Sequence, residues 1–177
     1  RNTCVLFGDG AGAAVLGLSE DEGEEAPGLR AVCLHADGTQ AEALMIPAGG
    51  SLRPATAETL SSKQHHIFMN GRAIFANAVR NLAAASQEAL RQAGWTADQV
   101  DLVVAHQANL RILEGVAGRL GVTMERFYIN IDRYGNTSSA SVPIALDEAV
   151  RDGRIKKGDR LLFCALGAGL AWGAAVV

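Results

Sequence analysis

The sequence has 177 residues, enough for one ordinary domain that can bury a core without disulfide or metal staples. Apolar residues make up 49%, charged residues 20%, and the net charge is −3. That balance reads as globular, offers no cationic field for nucleic acid, and contains no apolar run long enough for a membrane-spanning helix.

The elements are predicted in chain order from hydrophobic period and turn residues. Cys4–Phe7 reads as a buried strand, Gly8-Asp9-Gly10-Ala11-Gly12 as a turn, and Ala13–Leu18 as a second strand. The acidic run Ser19–Pro27 predicts a solvated loop and not a metal site. Leu29–Ala36 resumes a strand. Gly38–His66 has weak periodicity and many turn formers, which predicts a long excursion, a lid or a substrate-facing loop. Phe75, Val79, Leu82, Ser86, Ala89 and Leu90 follow helical spacing up to a stop at Gly94. Asp101–Ala105 is a short apolar strand. Leu110, Leu113, Ala117 and Leu120 define a second helix ended by Gly121. Phe127–Ile131 reads as a strand, and Ser141–Val150 as a helix with Pro143 tolerated in its first turn. Arg160–Ala165, the turn Gly167-Ala168-Gly169 and Leu170–Val177 form a closing strand-turn-strand.

Helix and strand alternate from Gly71 onward, which predicts an α/β layered domain on a mostly parallel sheet. The closing hairpin adds an antiparallel edge, so the sheet is expected to be mixed. The sequence starts at Arg1 directly before an apolar run and stops inside another at Val176-Val177, which suggests a piece of a longer unit. It opens on no basic, apolar leader pattern, so a cytoplasmic location is expected.

In layered sheets of this kind, ligands bind beyond the carboxyl ends of the strands. Three such ends carry polar or glycine-rich sequence: His106-Gln107-Ala108-Asn109, Tyr134-Gly135-Asn136-Thr137-Ser138-Ser139, and Gly167-Ala168-Gly169. His106 suits a hydrogen-bond or proton-carrying role, or else caps the next helix. Asn136 alone would suit a turn. The Gly167 turn is either simple strand reversal or a source of a backbone N–H for an oxyanion. Thr137, Ser138 and Ser139 read as helix caps. The three cysteines, Cys4, Cys33 and Cys164, all lie in apolar runs and read as buried thiols of a reducing compartment. No dinucleotide fingerprint, phosphate-binding loop, nucleophile elbow or metal-ligand spacing is present.

The His106–Ile112 and Tyr134–Pro143 segments resemble the two C-terminal signatures of β-ketoacyl-acyl carrier protein synthase III. Phe7–Leu16, Leu34–Gly38, Leu146–Gly153 and Leu166–Gly173 resemble further segments of that family. The resemblance spans nearly the whole chain. It implies a thiolase-like fold, two similar α/β halves stacked in five layers, with residues 1–27 ending the first half and 28–177 forming the second. It implies decarboxylative condensation of an acyl-CoA primer with malonyl-acyl carrier protein, without a cofactor, in a homodimer. His106 and Asn136 would both donate to the thioester oxygen, and the backbone N–H of Ala168 would serve a second oxyanion. Asn109, Ala108, Phe75 and Arg72 would line or flank the substrate tunnel, Phe75 suiting the core face of its helix equally, and Arg111 would face the carrier protein or be a plain surface arginine. The family's nucleophilic cysteine has no counterpart among Cys4, Cys33 and Cys164. Arg72 stands where some members have Asn, which leaves open a related acyltransferase of secondary metabolism. The missing nucleophile likewise leaves open a non-catalytic half-domain that binds a partner.

Overall fold

One four-residue strand buried on both faces organises the molecule, because successive side chains of a strand point to opposite faces. The computed structural model describes residues 3–18 and 27–177. Its elements are β1 (Ala31–Ala36), β2 (Leu44–Met45), α1 (Ala57–Ser61), β3 (Phe68–Met69), α2 (Gly71–Gln92), β4 (Leu102–Ala105), α3 (Leu110–Leu120), α4 (Ile131–Tyr134), α5 (Ser141–Arg151), β5 (Leu161–Gly167) and β6 (Ala171–Val176). Every residue of β4 is buried. Val103 and Ala105 pack into a core with Leu82 and Ala89 of α2 and Leu113 and Val116 of α3. Leu102 and Val104 face the other way, into a second core with Ala145 and Ala149 of α5. The result is three layers: two helices, a sheet, and one helix.

The main sheet has strand order β1-β6-β5-β4. β4 and β5 run parallel, and Phe127 extends that parallel arrangement through an isolated bridge to Val103. β6 is antiparallel to both β5 and β1, so the sheet is mixed, as the closing hairpin predicts. The 22 residues of α2 follow the N-cap Asn70, whose side chain accepts from Ala73 N–H. The α3 helix ends at Gly121 in the left-handed conformation that favours glycine, as expected from its position. Each fully buried leucine, such as Leu82 or Leu113, stabilises the fold by about 1.5–3 kcal/mol through removal from water.

Several expectations are corrected. Cys4–Phe7 is not a buried strand: it forms turns, Cys4 is exposed, and only Phe7 joins a bridge, to Asn136. Ala13–Leu18 has no regular structure and is exposed along its length. An apolar run becomes a strand only where a neighbour completes its hydrogen-bond ladder, and none of the described residues does so here. The acidic residues 19–26 of the expected loop lie outside the described residues. Phe127–Ile131 is not a full strand, because the chain turns into α4 at Ile131. The excursion 38–66 contains a short strand, β2, that pairs antiparallel with β3, and a short helix, α1.

One sheet face is covered only in part. α5 lies against β4, and the same face of β1 leaves Leu34 79% exposed and Val32 44% exposed. With Val15, Leu16 and Leu18 also exposed, this is more apolar surface than a monomer ordinarily shows to water. The chain expressed alone should therefore self-associate in sedimentation velocity at micromolar concentration. A single monomeric species would contradict that expectation.

Candidate active site

The parallel β4 and β5 bring two of the three predicted strand ends to one edge. His106 follows β4 directly, and its N–H donates to the Cys164 carbonyl of β5 at 2.8 Å, which continues the sheet's pairing by one residue. Gln107 then turns inward and is 1% exposed. Its Nε2 donates to the Ala105 carbonyl at 2.9 Å and the Tyr128 carbonyl at 3.0 Å, while its Oε1 accepts from Asn130 N–H at 3.1 Å. A buried amide with every bond made is a rigid clamp. This one ties the end of β4 to the segment that leads on to Asn136.

His106 does not cap α3; Asn109 does, its Oδ1 accepting from Arg111 N–H at 2.9 Å. The His106 ring is turned toward α5 instead, with Nδ1 2.5 Å from the Ser141 hydroxyl. Burial pushes its pKa below the ordinary 6.5, with a smaller opposing effect from a hydrogen bond to the Ser138 carbonyl. Thr137, Ser138 and Ser139 do not supply the expected caps, since neither the 3-10 turn at Ser138–Ala140 nor α5 has a side-chain cap. The first turn of α5 uses its serine, Ser141, on the histidine.

Asn136 is held by the N-terminal segment. Its N–H donates to the Leu6 carbonyl at 2.9 Å, and its carbonyl accepts from Gly8 N–H at 3.0 Å. The approach needs glycine on both sides. A Cβ at Gly8 would lie 2.1 Å from the Tyr134 carbonyl oxygen, and Gly135 adopts φ +67°. The side-chain Oδ1 accepts from Ser138 N–H at 2.9 Å. That bond fixes the amide, so Nδ2, which can only donate, is the end left for a ligand. Ser138 itself sits at φ 54°, an uncommon conformation for a residue with a side chain and one that clusters at functional sites.

His106, Asn136 and Ala168 all line one cavity of about 1060 Å³, together with Phe75, Ala108 and Asn109. Its walls are largely apolar, and the β2–β3 ribbon forms part of them through Leu44, Met45 and Met69. The excursion therefore does face the cavity. Phe75 is 42% exposed, so it belongs to the cavity wall and not to the core face of α2. Ala168 has no positive φ, so the alanine fits the turn without strain. Arg72 and Arg111 are exposed and lie outside the cavity lining.

Of the cysteines, Cys33 and Cys164 are buried as expected. Burial raises the Cys33 thiol and pushes Cys164 up to about 12, so both stay protonated and neither suits a nucleophile. Cys4 is exposed and sits among turns, contrary to the buried strand position expected. Among the described residues, no three histidine, cysteine or carboxylate side chains gather as a metal site. Gln107 and Ser141 are functional candidates that the sequence did not reveal. Gln107 had one signal, its place in the polar connection His106–Asn109 between an apolar strand and an amphipathic helix. Ser141 had none, because its partner is 35 residues away.

Residues 90–177 match the C-terminal family profile of 3-oxoacyl-acyl carrier protein synthase III, and residues 1–38 match the profile of the preceding part of the same enzyme. The chain belongs to the 3-oxoacyl-acyl carrier protein synthase III family. It is 55% identical over 177 residues to the β-ketoacyl-acyl carrier protein synthase III of Roseiflexus sp. strain RS-1, covering all of this chain and 53% of that relative. The crystal structure of the Thermus thermophilus enzyme of that name superposes with a TM-score of 0.86 at 45% identity, covering 100% of this chain and 53% of the other. A priming β-ketosynthase of a polyketide pathway superposes at 0.75 with 33% identity, over 86% of this chain and 45% of the other. The fold is thus that of the thiolase-like synthase III enzymes, and the chain spans about half the length of these relatives.

The depressed pKa of His106 has a testable sign. Below about 6.5 an unfolded chain binds a proton at this residue that the folded chain resists. The stability due to the neutral ring is complete above that value and is lost as pH falls toward the lower folded pKa. An NMR titration should place the His106 midpoint below 6.5; a midpoint at or above it would contradict the burial argument.

Proposed function

We propose that the chain is the decarboxylating half of a β-ketoacyl-acyl carrier protein synthase III acyltransferase. It condenses an acyl-CoA primer with malonyl-acyl carrier protein to begin fatty acid synthesis. One observation carries this reading: His106 and Asn136 meet at the same apolar cavity, with the Asn136 amide locked so that its donor end is free. Loss of carbon dioxide from a malonyl thioester leaves an enolate-like oxyanion on the thioester carbonyl. A donor fixed in a dry cavity stabilises that charge without reorganising, and one such donor is worth on the order of 3 kcal/mol in a transition state. His106 is the second polar group serving the same oxygen.

The Ala168 N–H serves the oxyanion formed when the carbanion attacks the acyl group. Phe75, Ala108 and Asn109 line the tunnel for the primer and the carrier's arm, with Arg72 flanking it. The exposed Arg111 at the start of α3 meets the acidic carrier protein by charge. No cofactor is required. The nucleophilic thiol comes from a segment other than these 177 residues: burial keeps Cys33 and Cys164 protonated, and Cys4 does not line the cavity. That segment, the other half of the layered fold, covers the bare apolar face beside β1. Residues 1–27 end that first half, and 28–177 form the second. The whole works as a cytoplasmic homodimer.

The Arg72 position and the likeness to a polyketide priming ketosynthase favour a second reading, a synthase of secondary metabolism with an unusual primer. A panel of acyl-CoA primers separates the two by which one acylates the protein. His106→Ala and Asn136→Ala in the intact protein should each slow malonyl-carrier decarboxylation by about 10²–10³-fold. The measurement is carbon dioxide release with the malonyl carrier alone. A rate near that of the unaltered protein in either variant would remove that residue from the mechanism, and in both would leave a non-catalytic binding half.

A further inference from the structure

The Gln107 clamp reaches only as far as Asn130. From there the chain runs through α4 and Gly135 before it presents the Asn136 amide. Three donors on that stretch converge on one carboxylate, Glu148 of α5. Asn130 Nδ2 donates to its Oε2 at 2.7 Å, Arg133 Nη2 to the same oxygen at 2.9 Å, and the Tyr134 hydroxyl to its Oε1 at 2.5 Å. Asn130 is 2% exposed, and the Glu148 side chain 16%. Hydrogen bonds to an ionised acceptor are about twice as strong as neutral ones. The bond to Glu148 raises the Tyr134 pKa above its ordinary 10, so the hydroxyl stays a donor near neutral pH. The carboxylate also stands on a fixed base. Ala145 and Ala149 of the same helix are fully buried against Leu102 and Val104 of β4, the strand that leads into His106. Tyr134 in turn backs onto the N-terminal segment, since a Cβ at Gly8 would meet its carbonyl oxygen. Where Tyr134 sits therefore decides whether Leu6 and Gly8 can pair with Asn136.

We infer that Glu148 is a positioning residue that holds α4 against α5 and thereby sets where the Asn136 amide stands relative to His106. Its catalytic meaning rests on the proposed function, in which both residues donate to one thioester oxygen. Glu148 lies outside the cavity lining and acts only through the loop it anchors. A donor moved off its mark stabilises the enolate oxyanion less well. Transfer of the primer onto the thiol forms no enolate, so that step does not depend on Glu148.

The test compares two half-reactions of the intact protein: carbon dioxide release from malonyl carrier, and acylation of the thiol by an acyl-CoA primer. Glu148→Leu removes the acceptor and should lower kcat for carbon dioxide release by about 10–10²-fold, the scale of loss when a distant change misplaces a reacting group. The KM for malonyl carrier and the acylation rate should not change. Glu148→Gln should restore most of the rate, because its carbonyl oxygen can take the two nitrogen donors while the Tyr134 hydroxyl turns to accept from the amide. Tyr134→Phe takes one hydroxyl from a ring that is 41% exposed and leaves the core alone. It should show the same selective loss on a smaller scale, and it decides the matter if Glu148→Leu does not fold. In an Asn136→Ala background neither variant should cost anything further. Losses that add to that of Asn136→Ala, that fall equally on acylation, or that glutamine does not rescue overturn the inference, as does an undiminished rate in Tyr134→Phe. Hydrogen–deuterium exchange separates the inference from the function it rests on. Peptides over 135–138 should lose protection in Glu148→Leu or Tyr134→Phe, while those of β4 keep theirs. That loss, in a protein whose Asn136→Ala variant decarboxylates at full rate, would sink the proposed function and leave Glu148 as the anchor of the loop. Unchanged protection beside a slowed Asn136→Ala variant would do the reverse.

Discussion

The buried amide of Gln107 is the joint on which the candidate site depends. It takes the end of β4, where sheet pairing stops at His106, and binds it to Tyr128 and Asn130, just beyond the single bridge from Phe127 to Val103. An amide removed from water must find partners for all its polar atoms or carry a penalty of about 1–3 kcal/mol. Here both ends are bonded to backbone. The geometry of two loops, one carrying His106 and the other leading to Asn136, is thereby set by one side chain that touches no cavity.

A similar economy governs Asn136. Its backbone is held by Leu6 and Gly8, and its Oδ1 by Ser138 N–H, so neither end of the residue is free to turn. The apolar walls of the cavity come from elements with different primary tasks. Phe75 belongs to the helix that covers the other sheet face, and Leu44 and Met69 to a two-residue ribbon. Polar groups are few and tied down, and the rest of the surface excludes water. That combination gives a fixed donor its strength.

Much of the fold was legible because its signals are local. The 3.6-residue period of α2 and α3, the glycine stop at Gly121 and the Leu-Val-Val strand each follow from a few neighbouring residues. The errors fall where an element needs a distant partner. Cys4–Phe7 and Ala13–Leu18 have strand-like composition, but composition supplies no ladder. Phe127–Ile131 begins as an extended pairing on β4 and then turns, a switch that depends on the buried Asn130 and Gln107. His106 and Asn136 could be picked out by motif. The hydroxyl between His106 and the Ser138 carbonyl could not, because nothing in the sequence joins Ser141 to a residue on another strand end.

The short pairing of Leu6 and Gly8 with Asn136 joins two segments far apart along the chain. Closing so long a loop before the sheet exists carries a large entropic cost, which two backbone hydrogen bonds do not offset. The helices and the β4–β5 pair can form from nearer contacts. The β1–β6 pairing, from Ala31 to Val176, closes a longer loop still, so both long-range pairings are expected to follow the helices. Placement of the Asn136 amide is in this sense expected after folding of the core, set by the pairing of Leu6 and Gly8 with the loop after α4.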